Sequence, residues 1–245
     1  MKKSFVLILV AILSMGCVKA SKNVATTAPS KSTASTVAAK SVSPPSITEM
    51  SENELPDGAK VKKTEGKLFK AVKWTDKAGE NLLVMTETGT WNSPRIKHDN
   101  PDCMDAELFV YHYIITDGKP VQDWKIYDLA SDCEVSVQAN FVRGAFSVTD
   151  LDGDGISEVW VMYQLAAHGD VSAIPMKLIM HEGADKFAMR GRNQIFVDGS
   201  NQGGEFTFDK AFNAAPLAFR DNAKALWNKY LKYNIEAEIT QPDEK

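Results

Sequence analysis

The chain has 245 residues, 44% of them hydrophobic and 24% charged, with a formal net charge of −4. That length and apolar share permit a real core, in one domain or two small ones. The acidic balance argues against a nucleic-acid partner.

Residues 1–16 read as a secretory signal: Lys2 and Lys3 precede an apolar run from Phe5 to Leu13. The run is too short to span a membrane, which takes about 20 apolar residues. It leads into Leu13-Ser14-Met15-Gly16-Cys17, which resembles the lipobox of bacterial lipoproteins. The commonest lipobox has Leu three residues before the Cys; here Ser14 holds that place, with Leu13 one step further out and small Gly16 fitting the pattern. The resemblance implies cleavage before Cys17, lipid on its sulfur and new amino terminus, and a membrane anchor through that lipid. Val18 and Lys19 put no Asp beside the Cys, which for many enteric-type lipoproteins implies sorting to the outer membrane, facing the periplasm or the cell surface. Loss of Lys2 and Lys3 with the signal takes the net charge from −4 to −6.

Residues 17–60 are rich in Ala, Ser, Thr, Lys, Val and Pro and carry no aromatic side chain. Such a segment buries too little apolar surface to offset its ordering entropy, so a disordered tether is expected, stiffened at Pro44-Pro45. A single globular domain is expected over residues 61–235, followed by a polar tail over 236–245.

The body predicts short strands at Leu68–Trp74, Asn81–Glu87, Glu107–Ile115, Trp124–Asp128, Glu134–Phe141, Ala145–Thr149, Glu158–Gln164, Lys177–His181, Phe187–Arg190 and Glu205–Phe208. Turn signals separate them at Asp76-Lys77-Ala78-Gly79, Asp117-Gly118, Glu182-Gly183 and Asp198-Gly199. The expected fold is mainly β (α+β): an antiparallel, hairpin-rich sheet or a propeller-like assembly. One amphipathic helix, Ala215–Tyr233, closes it. Pro216 suits its first turn, and Phe219, Ala223, Leu226, Trp227, Tyr230 and Leu231 form one apolar stripe for packing on the sheet.

With Cys17 assigned to lipid, Cys103 and Cys133 remain in a compartment where disulfides persist. A bridge closing a loop of about 30 residues contributes about 3–4 kcal/mol in the chain-entropy model. A thiol metal site is the rival reading, although no His or third Cys lies at ligand spacing.

The most specific pattern is Asp150-Leu151-Asp152-Gly153-Asp154-Gly155-Ile156-Ser157-Glu158. Carboxylates at loop positions 1, 3, 5 and 9 repel one another unless a hard cation sits among them, and Ca²⁺ prefers such oxygens. Gly155 supplies a sharp turn, and Ile156 offers its backbone carbonyl. Val161 stands where an EF-hand has its bidentate Glu, and the flanks are apolar and partly β-branched, so strand–loop–strand is expected. The pattern resembles the calcium loop of FG-GAP repeats, found in integrin and lectin β-propellers. That resemblance implies calcium ligands at Asp150, Asp152, Asp154 and Glu158, with the carbonyl of Ile156. Asp76-Lys77-Ala78-Gly79 before Leu82-Leu83-Val84-Met85 reads as a worn copy of the same motif.

A wider resemblance covers about Gly66 to Tyr233. Trp74-Thr75-Asp76-Lys77-Ala78-Gly79-Glu80-Asn81, Thr149 to Tyr163, Gly169-Asp170-Val171-Ser172 and Met176-Lys177-Leu178-Ile179-Met180-His181-Glu182-Gly183 resemble a bacterial envelope family called surface polysaccharide biosynthesis proteins. The resemblance implies an accessory factor or enzyme acting on surface polysaccharide. Catalytic signals are weak: His181-Glu182 lacks the second His of a zincin, and no nucleophile elbow or phosphate-cradling loop occurs. His168, Asp170 and Ser172 lie too close in sequence for a usual triad, nothing marks Asp105 and Glu107 as a glycosidase pair, and Asp198–Gly204 reads as a hairpin tip before a sugar site. The expectation is therefore a calcium-stabilised envelope lipoprotein that binds a protein or glycan partner without catalysing a reaction.

Overall fold

The computed structural model describes residues 44–133 and 135–238. The signal segment, Cys17, residues 17–43 of the tether and residues 239–245 lie outside the described residues.

Thirteen strands and three α-helices, with three single-turn 3-10 helices between Glu52 and Glu65, follow one another among the described residues. The first sheet runs β1 (Thr48–Glu49), β2 (Lys67–Asp76), β3 (Gly79–Trp91), β4 (Cys103–Thr116) and β5 (Lys119–Cys133), each beside the next. Then come β6 (Ser136–Phe141), β7 (Ser147–Thr149), β8 (Glu158–His168), β9 (Pro175–Glu182) and β10 (Asp185–Arg192). The chain continues through a separate hairpin of β11 (Gln194–Val197) and β12 (Ser200–Gly203), and then β13 (Phe206–Phe208). The second sheet has the order β13-β10-β9-β8-β6, with β7 also paired on β8. The helices are α1 (Lys210–Ala214), α2 (Leu217–Lys229) and α3 (Ile235–Glu238). All strand pairs are antiparallel.

The mainly antiparallel β fold with a C-terminal helix is what forms, and of the two expected arrangements it is hairpin-rich sheets and not propeller blades. All four turn signals fall at hairpins. Asp117 and Gly118 both have positive φ, 51° and 72°, the geometry that matches a two-residue turn to strand twist.

The two sheets pack face to face. Val72, Leu83, Met85, Leu108 and Val110 of the first meet Val137, Phe141, Val159, Val161 and Ile179 of the second. The opposite faces are covered as well. Trp160, Met162, Leu178 and Met180 bury against Phe212, Phe219, Ala223 and Trp227 of the helices. Leu82, Val84, Phe109, Tyr111 and Tyr113 lie with Leu55 and Ala59 of a strap that precedes β2. Burial on both faces explains why β3, β4 and β8 read as nearly continuous apolar runs instead of alternating ones.

Four expectations need correction. Ordered structure starts inside the segment read as tether: β1 pairs with β2, and Leu55 and Ala59 are 2% exposed. Their apolar contacts are too sparse in sequence to give a period, yet they cover the outer face of the first sheet. The helix is shorter than Ala215–Tyr233, because Pro216 adopts an extended N-cap conformation and Tyr230 leaves the helix at φ −106°. The segment before it forms α1, whose N-cap Asp209 accepts from the Phe212 N–H at 2.8 Å. Ala145, expected to start a strand, instead packs in the helix-side core ahead of β7.

Cys103 and Cys133 face each other across β4 and β5, with Cα atoms 3.9 Å apart and sulfurs at bonding distance. Elsewhere, four rings form a ladder from the first sheet to the second. Trp74 stacks on His112 at 5.5 Å, His112 on Trp124 at 4.8 Å, and Trp124 on His181 at 4.1 Å. His112 is held by Asp123 and Asn81, at 3.1 and 3.0 Å, whereas neither ring nitrogen of buried His181 has a partner.

Burial pushes the His181 imidazole down to about 4, with Lys186 and His112 adding repulsion. An unfolded His titrates near 6.5, so between these values the unfolded chain binds the extra proton and stability falls as pH drops. We predict that His181→Phe, which keeps a ring on Trp124, reduces the loss of stability between about pH 6.5 and 4 by roughly 2–3 kcal/mol. Urea midpoints measured across that range check this, and an identical acid limb in both proteins contradicts it.

Candidate metal centre

The acidic loop is a hairpin connection. Ser147, Val148 and Thr149 of β7 pair with Trp160, Val159 and Glu158 of β8, so strands flank the loop on both sides as its sequence predicts. Its carboxylates pin its own backbone. Asp150 Oδ1 accepts from the Gly153 N–H at 2.9 Å, Asp152 Oδ1 from Asp154 at 3.1 Å, and Asp154 Oδ1 from Ile156 at 2.6 Å. Gly155 has φ +90°, a conformation that calls for glycine, while a Cβ there would make only ordinary contact with the Lys77 side chain at 3.4 Å.

Glu158 closes the loop from below. It is fully buried, and its carboxylate accepts from the Leu151 N–H at 2.8 and 3.0 Å and from the Thr149 hydroxyl. Burial raises its pKa, with Asp152 and Asp150 contributing in the same direction, while the bonds from Thr149 and Leu151 act against the rise.

A fifth carboxylate comes from another strand. Glu182 ends β9 directly opposite Glu158 of β8. Its Oε1 is buried and has no hydrogen-bond partner. Burial, then Asp152, Glu158, Asp154 and Asp185, push its pKa up to about 7. Ligand atoms of Asp150, Asp152 and Glu158 lie within 4.8 Å of one another, and so do those of Asp152, Asp154 and Glu182. No Lys or Arg pairs with any of these five carboxylates among the described residues. Lys77 reaches the loop, but there its Nζ donates to the Asp154 carbonyl at 3.2 Å. Such a cluster can hold a metal ion: its donors are all hard oxygens, and one of them is a buried oxygen left without a partner.

Sequence spacing finds four of these carboxylates and misses Glu182, which only the β8–β9 register brings in. The one signal pointing that way is its place at the Glu182-Gly183 turn. The supposed worn copy of the motif has a different part. The β2–β3 turn docks on the acidic loop: the Lys77 N–H donates to the Gly155 carbonyl at 2.8 Å, and Asp76 Oδ2 accepts from the Ser157 N–H at 3.1 Å. Asp76 also accepts from Trp74 Nε1 and the Ala78 N–H, at 3.1 and 2.8 Å. Although its burial works against this, these bonds and those from Ser157 and Asn81 lower its pKa.

The other polar candidates have separate surroundings. Asp105 and Glu107 are both fully buried in β4. Asp105 holds His98 at 2.9 Å, and Glu107 accepts from Arg95 at 3.0 Å, Trp91 at 3.1 Å and Tyr127 at 2.7 Å. His168 Nδ1 meets the Asp170 carbonyl at 2.7 Å, in a contact that does not extend to Ser172. His181 belongs to the ring ladder, stacked on Trp124 at 4.1 Å. Comparison with protein-family models, curated proteins and solved structures finds no match for this chain.

The charge arrangement fixes the sign of a substitution. In a chelator, Glu182→Gln removes one of several mutually repelling charges and should stabilise the protein by about 1–2 kcal/mol after discounting its partial exposure, or roughly 3–6 °C. In calcium the same change removes a ligand, and the variant should melt below wild type. Thermal unfolding under both conditions checks the crossing, and a shift of the same sign in both contradicts it.

Proposed function

We propose that the chain is a lipid-anchored envelope protein whose globular domain is fastened by a structural calcium ion and serves as a non-enzymatic binding module. The observation that carries the calcium part is the unpaired carboxylate cluster at the β7–β8 hairpin, with an orphaned oxygen of Glu182 among its members.

The side chains of Asp150, Asp152, Asp154 and Glu158, with the Ile156 carbonyl, would hold the ion, and Glu182 would join them. The ion supplies the positive charge that these residues lack. Calcium accepts six to eight oxygen ligands in flexible geometry, whereas Mg²⁺ demands a strict octahedron and keeps several waters, so a crowd of carboxylates favours calcium. The site joins β7, β8, β9 and the β2–β3 turn, which makes the ion a fastening more than a sensor.

Sites in extracellular modules bind calcium at roughly 10⁻⁴–10⁻³ M, which suits a compartment outside the cytoplasm. The lipobox-like Leu13–Cys17 segment and the paired Cys103 and Cys133 support that location. The likeness to surface polysaccharide proteins favours a protein or glycan of the envelope as partner. Burial of Asp105 and Glu107 beneath other side chains speaks against their use as a hydrolytic pair.

At 10–100 times its dissociation constant, calcium should stabilise the domain by about 1.4–2.7 kcal/mol relative to EDTA, or roughly 3–10 °C. Asp152→Ala should erase that difference, because Asp152 belongs to both groups of converging ligands. Identical wild-type melting in calcium and EDTA sinks the proposal.

A further inference from the structure

Between the strap and the outer face of the first sheet lies a cavity of about 180 Å³. Tyr111 and Tyr113 line it with rings 6.3 Å apart and inclined by 28°, beside Val84. The strap is pressed onto β5 at Gly58, where a Cβ would come within 2.7 Å of Pro120 Cγ. The lining also carries an open hydrogen-bonding position. Thr86 is 1% exposed, and its Oγ1 has no partner. Native structures satisfy such groups with a ligand or water.

The charges around the cavity are already engaged. Glu65, 6% exposed, accepts from the Tyr111 hydroxyl at 2.8 Å and from Lys62 Nζ at 3.0 Å. Lys60 Nζ donates to the carbonyls of Glu52 and Asn53, at 3.4 and 3.1 Å. A carboxylate in the lining disfavours an anion, the two lysines disfavour a cation, and a single carboxylate is too few for a metal. What fits is neutral and bears hydroxyl groups, with an apolar face for the tyrosine rings and Val84. A cavity of about 150 Å³ admits benzene, while drug-sized pockets start at about 300 Å³, so the ligand has one ring.

We propose that this cavity binds a neutral, polyhydroxylated ring the size of one pyranose unit, with Thr86 and Glu65 hydrogen-bonding its hydroxyls. The site gives a ligand to the binding module proposed above and rests on that reading for its role alone, since it lies on the far face of the first sheet from the sandwich core.

Isothermal titration of the full chain in calcium tests it. The probes are the neutral methyl glycosides of glucose, galactose and N-acetylglucosamine, the charged sugars glucuronate and glucosamine, and the disaccharide maltose. At least one neutral glycoside should bind with low-millimolar affinity, more tightly than either charged sugar. Maltose binding as well as a glycoside indicates the end of a glycan chain, and weaker maltose binding indicates a free sugar; both support the site. Thr86→Val should weaken binding roughly tenfold without lowering the melting temperature, because it removes an unpaired buried hydroxyl. Should that variant fold poorly, Gln122→Ala, at an exposed lining position, should weaken binding instead. Absence of binding by every neutral glycoside, or unchanged affinity in the folded variants, leaves a water-filled space and overturns the proposal. Melting of the same samples in calcium and EDTA reports separately on the metal fastening.

Discussion

Like charge at one corner of the second sheet is the constraint on which the rest depends. Glu158 and Glu182 stand directly opposite on neighbouring antiparallel strands, a placement that is unfavourable for two carboxylates. Asp150, Asp152 and Asp154 add to the repulsion from the hairpin above, and no basic side chain among the described residues pairs with them. Backbone N–H groups take up part of the charge through the loop's own hydrogen bonds. Desolvation keeps the remainder costly at Glu158 and Glu182, whose carboxyls are both pushed upward. A divalent cation held there would offset this repulsion, since the ligand atoms converge in two groups of three that share Asp152.

The surrounding architecture gives that corner its leverage. Two sheets share one core, and a helix and a strap cover their other faces, so the central strands β3, β4, β8 and β9 are buried on both sides. The β2–β3 turn of the first sheet rests on the acidic loop of the second through Lys77 and Asp76. Fastening the loop therefore also fixes a contact between the two sheets. The ring ladder from Trp74 to His181 crosses the same interface with stacked, uncharged rings. Loop contact and ring ladder are different solutions to holding two sheets in one register.

Much of this was legible in the sequence for identifiable reasons. Asp117-Gly118 and Asp198-Gly199 announce hairpins because few residue pairs tolerate positive φ at both positions. The acidic loop is legible because its four carboxylates fall within nine residues of the chain. Glu182 is not, since it reaches the cluster through strand register, which local pattern does not encode. The strap is hidden for a related reason: Leu55 and Ala59 are isolated among polar residues and acquire their role only against Tyr111 and Tyr113. The sequence places Pro216 inside a helix starting at Ala215, whereas in the structure Pro216 is the N-cap and the helix starts two positions later, at Leu217.

Direct counting of bound calcium tests the central claim. Equilibrium dialysis of the purified chain against radioactive calcium should show one ion per chain, half-saturated at roughly 10⁻⁴–10⁻³ M. Binding should vanish when Asp150 and Asp152 are both replaced by Asn. No saturable binding by the wild-type chain, or undiminished binding by that double variant, contradicts the account.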